Sequence, residues 1–384
     1  MAVLGQLLAA AAAQASVPIY SDPVSIECTP DTFNLDQQGL PVSNPMDPTQ
    51  GAACLMGVGP GGTGANQVNQ GAGKSANARV TSSRDSDSTN DNASLGNGFA
   101  AELAAGDLGS GWGVWTSYVR GDYDSEFRFL NRDLGADTDL NNVLAGIDRL
   151  IGDRFLLGVT FAYEDSATRS GYNGGNLDGE GFGFIPYVGW LINDIFTADL
   201  SFGYSFLDYD QNRVSVRDGT IVTSNFDADR WFVAGNINAT VVRDSWVFGG
   251  RVGILHTQEK QEGYVENGSA ATVAAGAIWN VHDRNIDLTQ FLVGGSVAYT
   301  FSNLEPFASV TYYNDTSRDD GASAGGLPAA FTQTRNNDDD EVQVGFGVNF
   351  FTDFGIYGSL QYLLIEGRDD FDGSTFFLNL RADL

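Results

Sequence analysis

The fold is decided by the stretch Phe196-Thr197-Ala198-Asp199-Leu200-Ser201-Phe202-Gly203-Tyr204-Ser205-Phe206, in which apolar side chains alternate with polar or small ones. Successive side chains of a β-strand point to opposite faces, so this period of two predicts a strand with one apolar face. Its length is close to the roughly ten residues that a tilted strand needs to cross the hydrocarbon core of a bilayer. The same pattern recurs at 342–350 and in the C-terminal stretch Thr375 to Leu384. The chain is therefore predicted to cross a membrane with β-strands.

The lengths of the connections indicate how these strands are arranged. Connections after even-numbered strands are tight, such as Gly152-Asp153-Arg154 and Ser302-Asn303, whereas those after odd-numbered strands are long. This sorting places every tight turn at one end of a barrel and every long loop at the other, as in outer-membrane barrels with periplasmic turns and extracellular loops. We predict an all-β fold over 111–384, a twelve-stranded antiparallel transmembrane β-barrel closed by its last strand. The even number of strands places the first and the last residue of the barrel on the periplasmic side. The strands are placed at 112–121, 142–151, 155–164, 181–191, 195–207, 228–242, 245–257, 288–301, 304–313, 340–351, 354–363 and 375–384.

The composition excludes several other classes of protein. The chain has 384 residues, a formal net charge of −29 and a pI near 4.1. So acidic a surface repels the phosphates of nucleic acid, which excludes a nucleic-acid-binding protein. No apolar stretch reaches the ~18 residues that a transmembrane helix requires. Aromatic residues near the strand ends suit the interfacial girdles of a barrel; they are Trp112, Trp190, Trp231, Trp246 and Tyr362.

The first 110 residues differ in kind from the rest. Met1 to Ala15, MAVLGQLLAAAAAQA, is either a secretory signal cleaved after Ala15 or a retained Ala-rich helix. Residues 16–90 form an extension rich in Pro and then in Gly, Ser, Asn and Asp, which predicts largely irregular chain. Cys28 and Cys54 are the only cysteines, and in an oxidising compartment they are predicted to form a disulfide. Residues 91–110 are interpreted as a linker that leads into the first strand.

Charged residues mark both the polar strand faces and the long loops. On the strands, Asp148, Asp199, Arg251 and Arg381 are predicted to point into the lumen. There they either form a hydrogen-bonded ion network that fills a narrow interior, or they line a solute path and set its selectivity. The predicted loops carry acidic clusters at 319–320, 336–341 and 368–372. These clusters are either solvated loops or carboxylates that hold divalent cations against lipopolysaccharide phosphates.

No constellation of catalytic residues is recognisable. His256 and His282 have no neighbouring Ser or Cys nucleophile in the sequence, and they lie far from the cysteines. The stretch Gly71-Ala72-Gly73-Lys74-Ser75 is an incomplete phosphate-binding loop, because Val68 stands where its first glycine is required. We therefore predict no catalytic residue, no cofactor and no metal, and a protein that is not an enzyme.

Residues 111–384 resemble the autotransporter β-domain, the translocator of type V secretion. The resemblance lies in the opening strand Gly111-Trp112-Gly113-Val114-Trp115, in the hairpin Asn142 to Tyr163 (NVLAGIDRLIGDRFLLGVTFAY), in the hairpin Phe182 to Tyr204 and in the last strand. It implies a Gram-negative outer-membrane location and a barrel of twelve strands. It also implies a helical linker that threads the lumen, for which Asn92 to Leu108 is the candidate.

The resemblance further implies partners and a function. The barrel-assembly machinery would read the last strand, here through Phe376, Leu378, Leu380 and Leu384. Other expected partners are outer-membrane lipid and lipopolysaccharide, and an envelope protein that meets the N-terminal arm. The family carries a large N-terminal passenger, whereas only ~95 residues without repeats precede the linker here. We therefore expect a barrel that anchors or translocates a short N-terminal segment. The alternative is a channel or a structural barrel subunit of an envelope assembly, docked through that arm.

Overall fold

The computed structural model describes the part of the chain that contains the predicted barrel. The predicted N-terminal signal or helix, the extension with the predicted Cys28–Cys54 disulfide and the predicted linker helix all lie outside the described residues. The described residues are 111–125, 128–129, 132–133, 136–152, 154–170, 175–214, 219–274, 280–281, 283–319, 339–352, 356–368 and 371–384.

Twelve long antiparallel strands follow one another around a closed barrel, and each pairs with its neighbours in sequence. They are β1 Trp112–Ser125, β2 Ala136–Ile151, β3 Phe155–Ser170, β4 Gly175–Leu191, β5 Phe196–Val214, β6 Ile221–Arg243, β7 Trp246–Gln261, β8 Arg284–Tyr299, β9 Leu304–Asp319, β10 Asp340–Phe351, β11 Ile356–Arg368 and β12 Phe371–Asp383. The barrel closes between β12 and β1 in continuous register, from Gly113↔Asp383 to Ser125↔Phe371. The predicted all-β barrel of twelve strands, closed by its last strand, is confirmed.

Short elements interrupt two of the connections, the one between β1 and β2 and the one between β7 and β8. Two-residue strands pair Arg128–Phe129 with Arg132–Asp133, and Tyr264–Val265 with Asn280–Val281. A single helical turn, α1, covers Ala270–Ala274. Among the described residues no helix is both long and apolar enough to cross a membrane.

The outward face of the strands carries an apolar band. On β5 the outward side chains are the alternate residues that begin at Phe196, of which Leu200 is 52% and Phe206 64% exposed. A wall of large exposed apolar side chains is costly in water and favourable against lipid, which explains why the sequence places them on this face. The inward side chains of the same strand, such as Ser201 and Tyr209, are buried.

The strands run further than predicted at the end of the barrel that carries the long loops. β5 ends at Val214 rather than at 207, and β6 begins at Ile221 rather than at 228. In these extensions the period of two continues, but the outward residues change from apolar to charged, as at Asp208 and Asp227. An alternation of apolar and polar residues marks only the segment that crosses lipid, so it predicts strands that end where the apolar face ends. Two residues of the acidic clusters assigned to loops, Asp319 and Asp372, lie in strands for the same reason, while Asp340 and Glu341 belong to the strand predicted at 340–351.

Tight turns join the strands at the opposite end, called here the turn end. Asp244 adopts a positive φ of 55° in the turn between β6 and β7, and Ser302 adopts a φ of 46° between β8 and β9. Two-residue hairpin turns require this left-handed conformation, which Asp tolerates better than most residues. All the described tight turns therefore lie at one end, as the sorting of connection lengths predicts.

Aromatic side chains on the inner face lie flat against the wall over glycines. A Cβ atom added to Gly203 would clash with the ring of Phe232, and one added to Gly146 would clash with Trp115. Because the glycines leave room beside the backbone, these rings lie along the wall rather than pointing toward the barrel axis.

Candidate functional site

The inner face of the wall holds the charged residues that the sequence singles out. Asp148 on β2 and Arg381 on β12 form a bidentate ion pair, in which Arg381 Nη1 donates to Asp148 Oδ2 at 2.9 Å and Nη2 donates to Oδ1 at 2.5 Å. The side chains are 0% and 2% exposed, respectively. β1 lies between these two strands, and its inward residue at this level is Gly113. The ion pair therefore bridges the wall across one intervening strand.

Two aromatic residues extend this ion pair along the wall. Tyr187 on β4 donates its hydroxyl to Asp148 Oδ2 at 2.7 Å, and Trp115 Nε1 on β1 donates to that same hydroxyl oxygen at 2.8 Å. Tyr187 lies over Gly158 of β3, where a Cβ atom would clash with its ring. One hydrogen-bonded chain thus connects side chains of β12, β1, β2 and β4. We call the group Arg381, Asp148, Tyr187 and Trp115 the seam network.

Asp199 and Arg251 meet through amides rather than directly. Asp199 accepts hydrogen bonds from Asn236 Nδ2 at 2.6 Å and from Asn238 Nδ2 at 3.0 Å. Arg251 Nη2 donates to Asn236 Oδ1 at 2.7 Å. The side-chain amide of Asn236 thereby bridges the Asp199 carboxylate and the Arg251 guanidinium group. These hydrogen bonds connect β5, β6 and β7.

A second ionic group lies on the inner face toward the loop end. Arg230 on β6 donates through Nε to Glu259 at 2.9 Å and through Nη1 to Glu164 at 2.9 Å. The three side chains are 2%, 1% and 8% exposed, respectively. Since β4 and β5 separate β3 from β6, the contact with Glu164 passes over two strands.

The connection after β7 packs against the inner face of the β5–β6 hairpin. Arg213 forms a bidentate pair with Glu266 at 2.9 and 2.7 Å, and the two side chains are 1% and 2% exposed. Tyr264 stacks on Phe226 with ring centroids 4.8 Å apart. Thr220 and the α1 residue Thr272 lie 2.8 Å apart through their hydroxyls. This connection is therefore fastened to the wall by an ion pair, a ring stack and hydroxyl contacts.

Glu305 is a buried carboxylate near the turn end. It is 0% exposed and accepts hydrogen bonds from Thr300 Oγ1 at 2.9 Å and from Asn349 Nδ2 at 3.0 Å. Neither donor is charged, in contrast to the arginine partners of Asp148, Glu164 and Glu259.

Carboxylates crowd the outward face of β1 and β2 beyond the apolar band. Asp122 lies opposite Asp139, and Asp124 opposite Asp137. The hydrogen bond with Asp122 and then burial raise the pKa of Asp139, while burial and then the hydrogen bond with Asp137 raise the pKa of Asp124. Arg120 acts in the opposite sense, since its hydrogen bond lowers the pKa of Asp122. Repulsion between like charges on facing strand positions adds a smaller contribution in the same direction.

The acidic face continues around the barrel. Asp165, Glu180, Asp208 and Asp227 are successive cross-strand partners on β3, β4, β5 and β6. This row lies at the level where the outward face leaves its apolar band.

The structure brings two of the predicted residues together and joins each to residues that the sequence did not suggest. Asp148 contacts Arg381 directly, whereas Asp199 and Arg251 meet through Asn236. Tyr187, Trp115 and the Arg230 group were missed. Each of these residues occupies a position whose side chain points inward, as the alternation along its strand predicts. The alternation does not show which side chain of another strand it contacts.

The residues expected to signal assembly lie along β12. Phe376 is 38% exposed and Leu384 50% exposed, on the lipid-facing side. The backbone N–H of Leu384 donates to the carbonyl of Trp112 at 2.9 Å, so the C-terminal residue belongs to the closing seam.

Comparisons with known proteins agree with this architecture. The chain is similar to the translocator domain of the autotransporter NalP from Neisseria meningitidis, with 14% identity and a TM-score of 0.59, over 72% of this chain and 90% of that one. It is also similar to the beta domain of the Bordetella autotransporter BrkA, with 14% identity and a TM-score of 0.54, over 71% of this chain and 100% of that one. At such identities the two likenesses show the fold alone. No curated protein sequence matches.

The family is shown by a separate comparison. The model of the autotransporter beta-domain matches residues 114–362, from the first strand of the barrel to its eleventh. The expected family and the expected location are thereby confirmed. The chain belongs to the autotransporter β-domain family, whose barrels lie in the outer membrane of Gram-negative bacteria among its lipids.

Proposed function

We propose that this barrel anchors the N-terminal segment, residues 1–110, in the outer membrane and carries it through the lumen to the cell surface. The observation that carries the proposal is where the segment joins the wall. The first residue of the wall, Trp112, bonds to Leu384 at the turn end, which is the periplasmic end in this family. Gly111, with a φ of 68°, turns the chain at that point. The segment is thus attached beside the periplasmic mouth of the lumen.

The size of the barrel supports the proposal. Twelve strands about 4.8 Å apart and tilted by about 40° give a Cα radius of about 12 Å. An α-helix with its side chains is about 10–12 Å across, so one helix fits inside this wall together with a layer of side chains. Aromatic rings that lie flat over glycines, such as Phe232 over Gly203, keep that layer thin.

Two measurements test the proposal. In a planar bilayer the full chain should be nearly silent, and deletion of residues 1–108 should open a steady conductance. Protease added to intact cells should remove residues 16–90 while leaving the barrel. Large conductance from the full chain together with protection of residues 16–90 would contradict the proposal, because an anchored segment would then neither occupy the lumen nor reach the surface.

The charge of the inner wall favours a second candidate function, a channel or structural barrel of an envelope assembly. Among the described residues, inward carboxylates outnumber inward guanidinium groups by two to one. The acidic members are Asp148, Glu164, Asp199, Glu259, Glu266, Glu305, Asp315 and Glu341, and the basic members are Arg213, Arg230, Arg251 and Arg381. An acidic lumen favours cations, as rings of Asp and Glu do in cation channels. Cation-selective conductance of the full chain would support this candidate against the first.

Three partners follow from these two candidate functions. The barrel-assembly machinery would bind β12 through its lipid-facing residues Phe376, Leu378 and Leu380, together with Leu384, which directly follows this strand. Lipopolysaccharide would meet the row from Asp165 to Asp227, where divalent cations would bridge carboxylates and lipid phosphates. In the second candidate, an envelope protein would bind the N-terminal arm.

A further inference from the structure

The closing seam between β1 and β12 is the pairing in the barrel that no turn or loop connects. Turn type and loop length set the register of a hairpin, and the tight turns do so for the pairs that they join. β1 and β12 are separated by the whole barrel sequence, so no connection limits how they slide. The register of the seam must therefore be specified by side chains.

The lipid-facing pattern cannot specify this register alone. A slip of one residue would turn every inward side chain outward, which the alternation forbids. A slip of two residues keeps the alternation, and on β12 it exchanges Phe376, Leu378 and Leu380 for one another against β1. Apolar residues of similar size discriminate weakly between these registers. To specify the register, the seam needs a contact between inward side chains that forms in one register only.

The ion pair of the seam network has such a position. Arg381 reaches over Gly113 to Asp148, and a Cβ atom on Gly113 would clash with its guanidinium group. A slip of two residues moves Arg381 along the barrel by about 6.6 Å relative to β1 and β2. Both charges would then be buried without each other, and breaking a buried pair is strongly unfavourable.

The rest of the seam network keeps Asp148 in place. Its Oδ2 accepts the Tyr187 hydroxyl at 2.7 Å, and that hydroxyl in turn accepts Trp115 Nε1 at 2.8 Å. Trp115 belongs to β1 and is the Cα partner of Arg381 itself. The carboxylate is therefore held relative to β1, the strand against which β12 must align.

We propose that the Arg381–Asp148 pair, passing over Gly113, is a register lock that selects one alignment of β12 on β1 when the barrel closes. The inference concerns the wall alone and holds whatever the N-terminal segment does.

Cysteine pairs on the outward face of the seam test the proposal in the full chain, with Cys28 and Cys54 replaced by Ser. The pair T116C/L380C joins Cα partners in the native register. The pairs V114C/L380C and Y118C/L380C become partners only after a slip of two residues. With the lock intact, oxidation should cross-link the native pair, and the slipped pairs should react only at the background level of diagonal neighbours.

Asp148→Asn should raise the ratio of slipped to native cross-links by about tenfold or more, because it removes the negative charge that Arg381 contacts through both of its terminal nitrogens. The exchange D148R/R381D should restore the native ratio. If Asp148→Asn does not fold, Gly113→Ala tests the same contact, because its Cβ atom displaces the guanidinium group of Arg381. This variant should also raise the ratio of slipped to native cross-links. Asp199→Asn is the matched control: it changes a half-buried inner carboxylate remote from the seam, so it should not alter the ratio. An unchanged ratio in every folded variant would overturn the proposal, as would an equal rise in the control.

Discussion

Replacement of Arg230 with Met is expected to cost much more stability than the same replacement of Arg120. Arg230 contacts Glu259 and Glu164 at 2.9 Å each, and all three side chains are less than a tenth exposed. Met keeps the length and apolar surface of the Arg stem but leaves two carboxylates in the wall without their shared cation. Breaking a buried pair by removing one partner costs about 3–5 kcal/mol. We place Arg230→Met in that range.

Arg120→Met provides the matched control. Arg120 contacts Asp122 at 2.7 Å and Asp139 at 2.8 Å, so it too bridges two carboxylates. Its side chain is 46% exposed and lies on the outward face, where solvent screens the charges. Exposed pairs of this kind contribute about 0–1 kcal/mol. The two variants thus share the chemistry of the change and differ in burial.

Unfolding by urea in phospholipid vesicles, followed by tryptophan fluorescence, measures both free energies of unfolding. A second change, Glu164→Gln in the Arg230→Met background, should recover part of the loss because it removes one of the stranded charges. Equal losses for Arg230→Met and Arg120→Met, within about 0.5 kcal/mol, would refute the claim that burial gives the inner pair its importance.

Three further predictions concern glycine contacts, the lipid face and pH. Gly203→Ala should destabilise the barrel by about 1–3 kcal/mol, because its Cβ would clash with Phe232, whereas Gly250→Ala, which meets no atom within 4 Å, should not; urea midpoints compare the two. Phe346→Arg, in the lipid-facing band, should cost about 2–4 kcal/mol, whereas Asp208→Arg beyond the band should cost little, and a similar loss for both would contradict the assigned band. Burial and the hydrogen bond with Asp137 raise the pKa of Asp124 in the folded barrel above its value in the unfolded chain. The contribution of Asp124 to stability is therefore full below the unfolded pKa and is lost as the pH rises through the folded pKa. Asp124→Asn should therefore flatten the fall of the urea midpoint as the pH rises above the ordinary pKa of an aspartate, and an unaltered slope would count against the crowding of carboxylates on β1 and β2.

The strands could be predicted from the sequence because lipid imposes one simple rule on them. The alternation in Phe196 to Phe206 and the sorting of connections by length were sufficient for the number of strands and for the closure. The extensions of β5 and β6 escaped prediction because their outward residues become acidic where the lipid ends. A strand that keeps its period but loses its apolar face resembles a polar loop in sequence.

For the inner face, the sequence predicts only which side chains point inward and not which of them are in contact. The alternation along each strand places Asp148 and Arg381 on the polar face. Their ion pair also depends on the register of three strands and on the absence of a side chain at Gly113. The role of Tyr187 in the seam network could not be predicted, because an inward tyrosine is as common in apolar packing as in a hydrogen-bonded network. The disulfide of Cys28 with Cys54 stays a prediction.

The side of the membrane on which Cys28 lies tests the proposed function most directly. Intact cells would be treated with a reductant and a thiol reagent that do not cross the outer membrane, and a second sample would be treated after that membrane is opened. If the barrel carries its N-terminal segment to the surface, Cys28 should be labelled equally in both samples. Labelling only after the membrane is opened would place the segment in the periplasm and contradict the account.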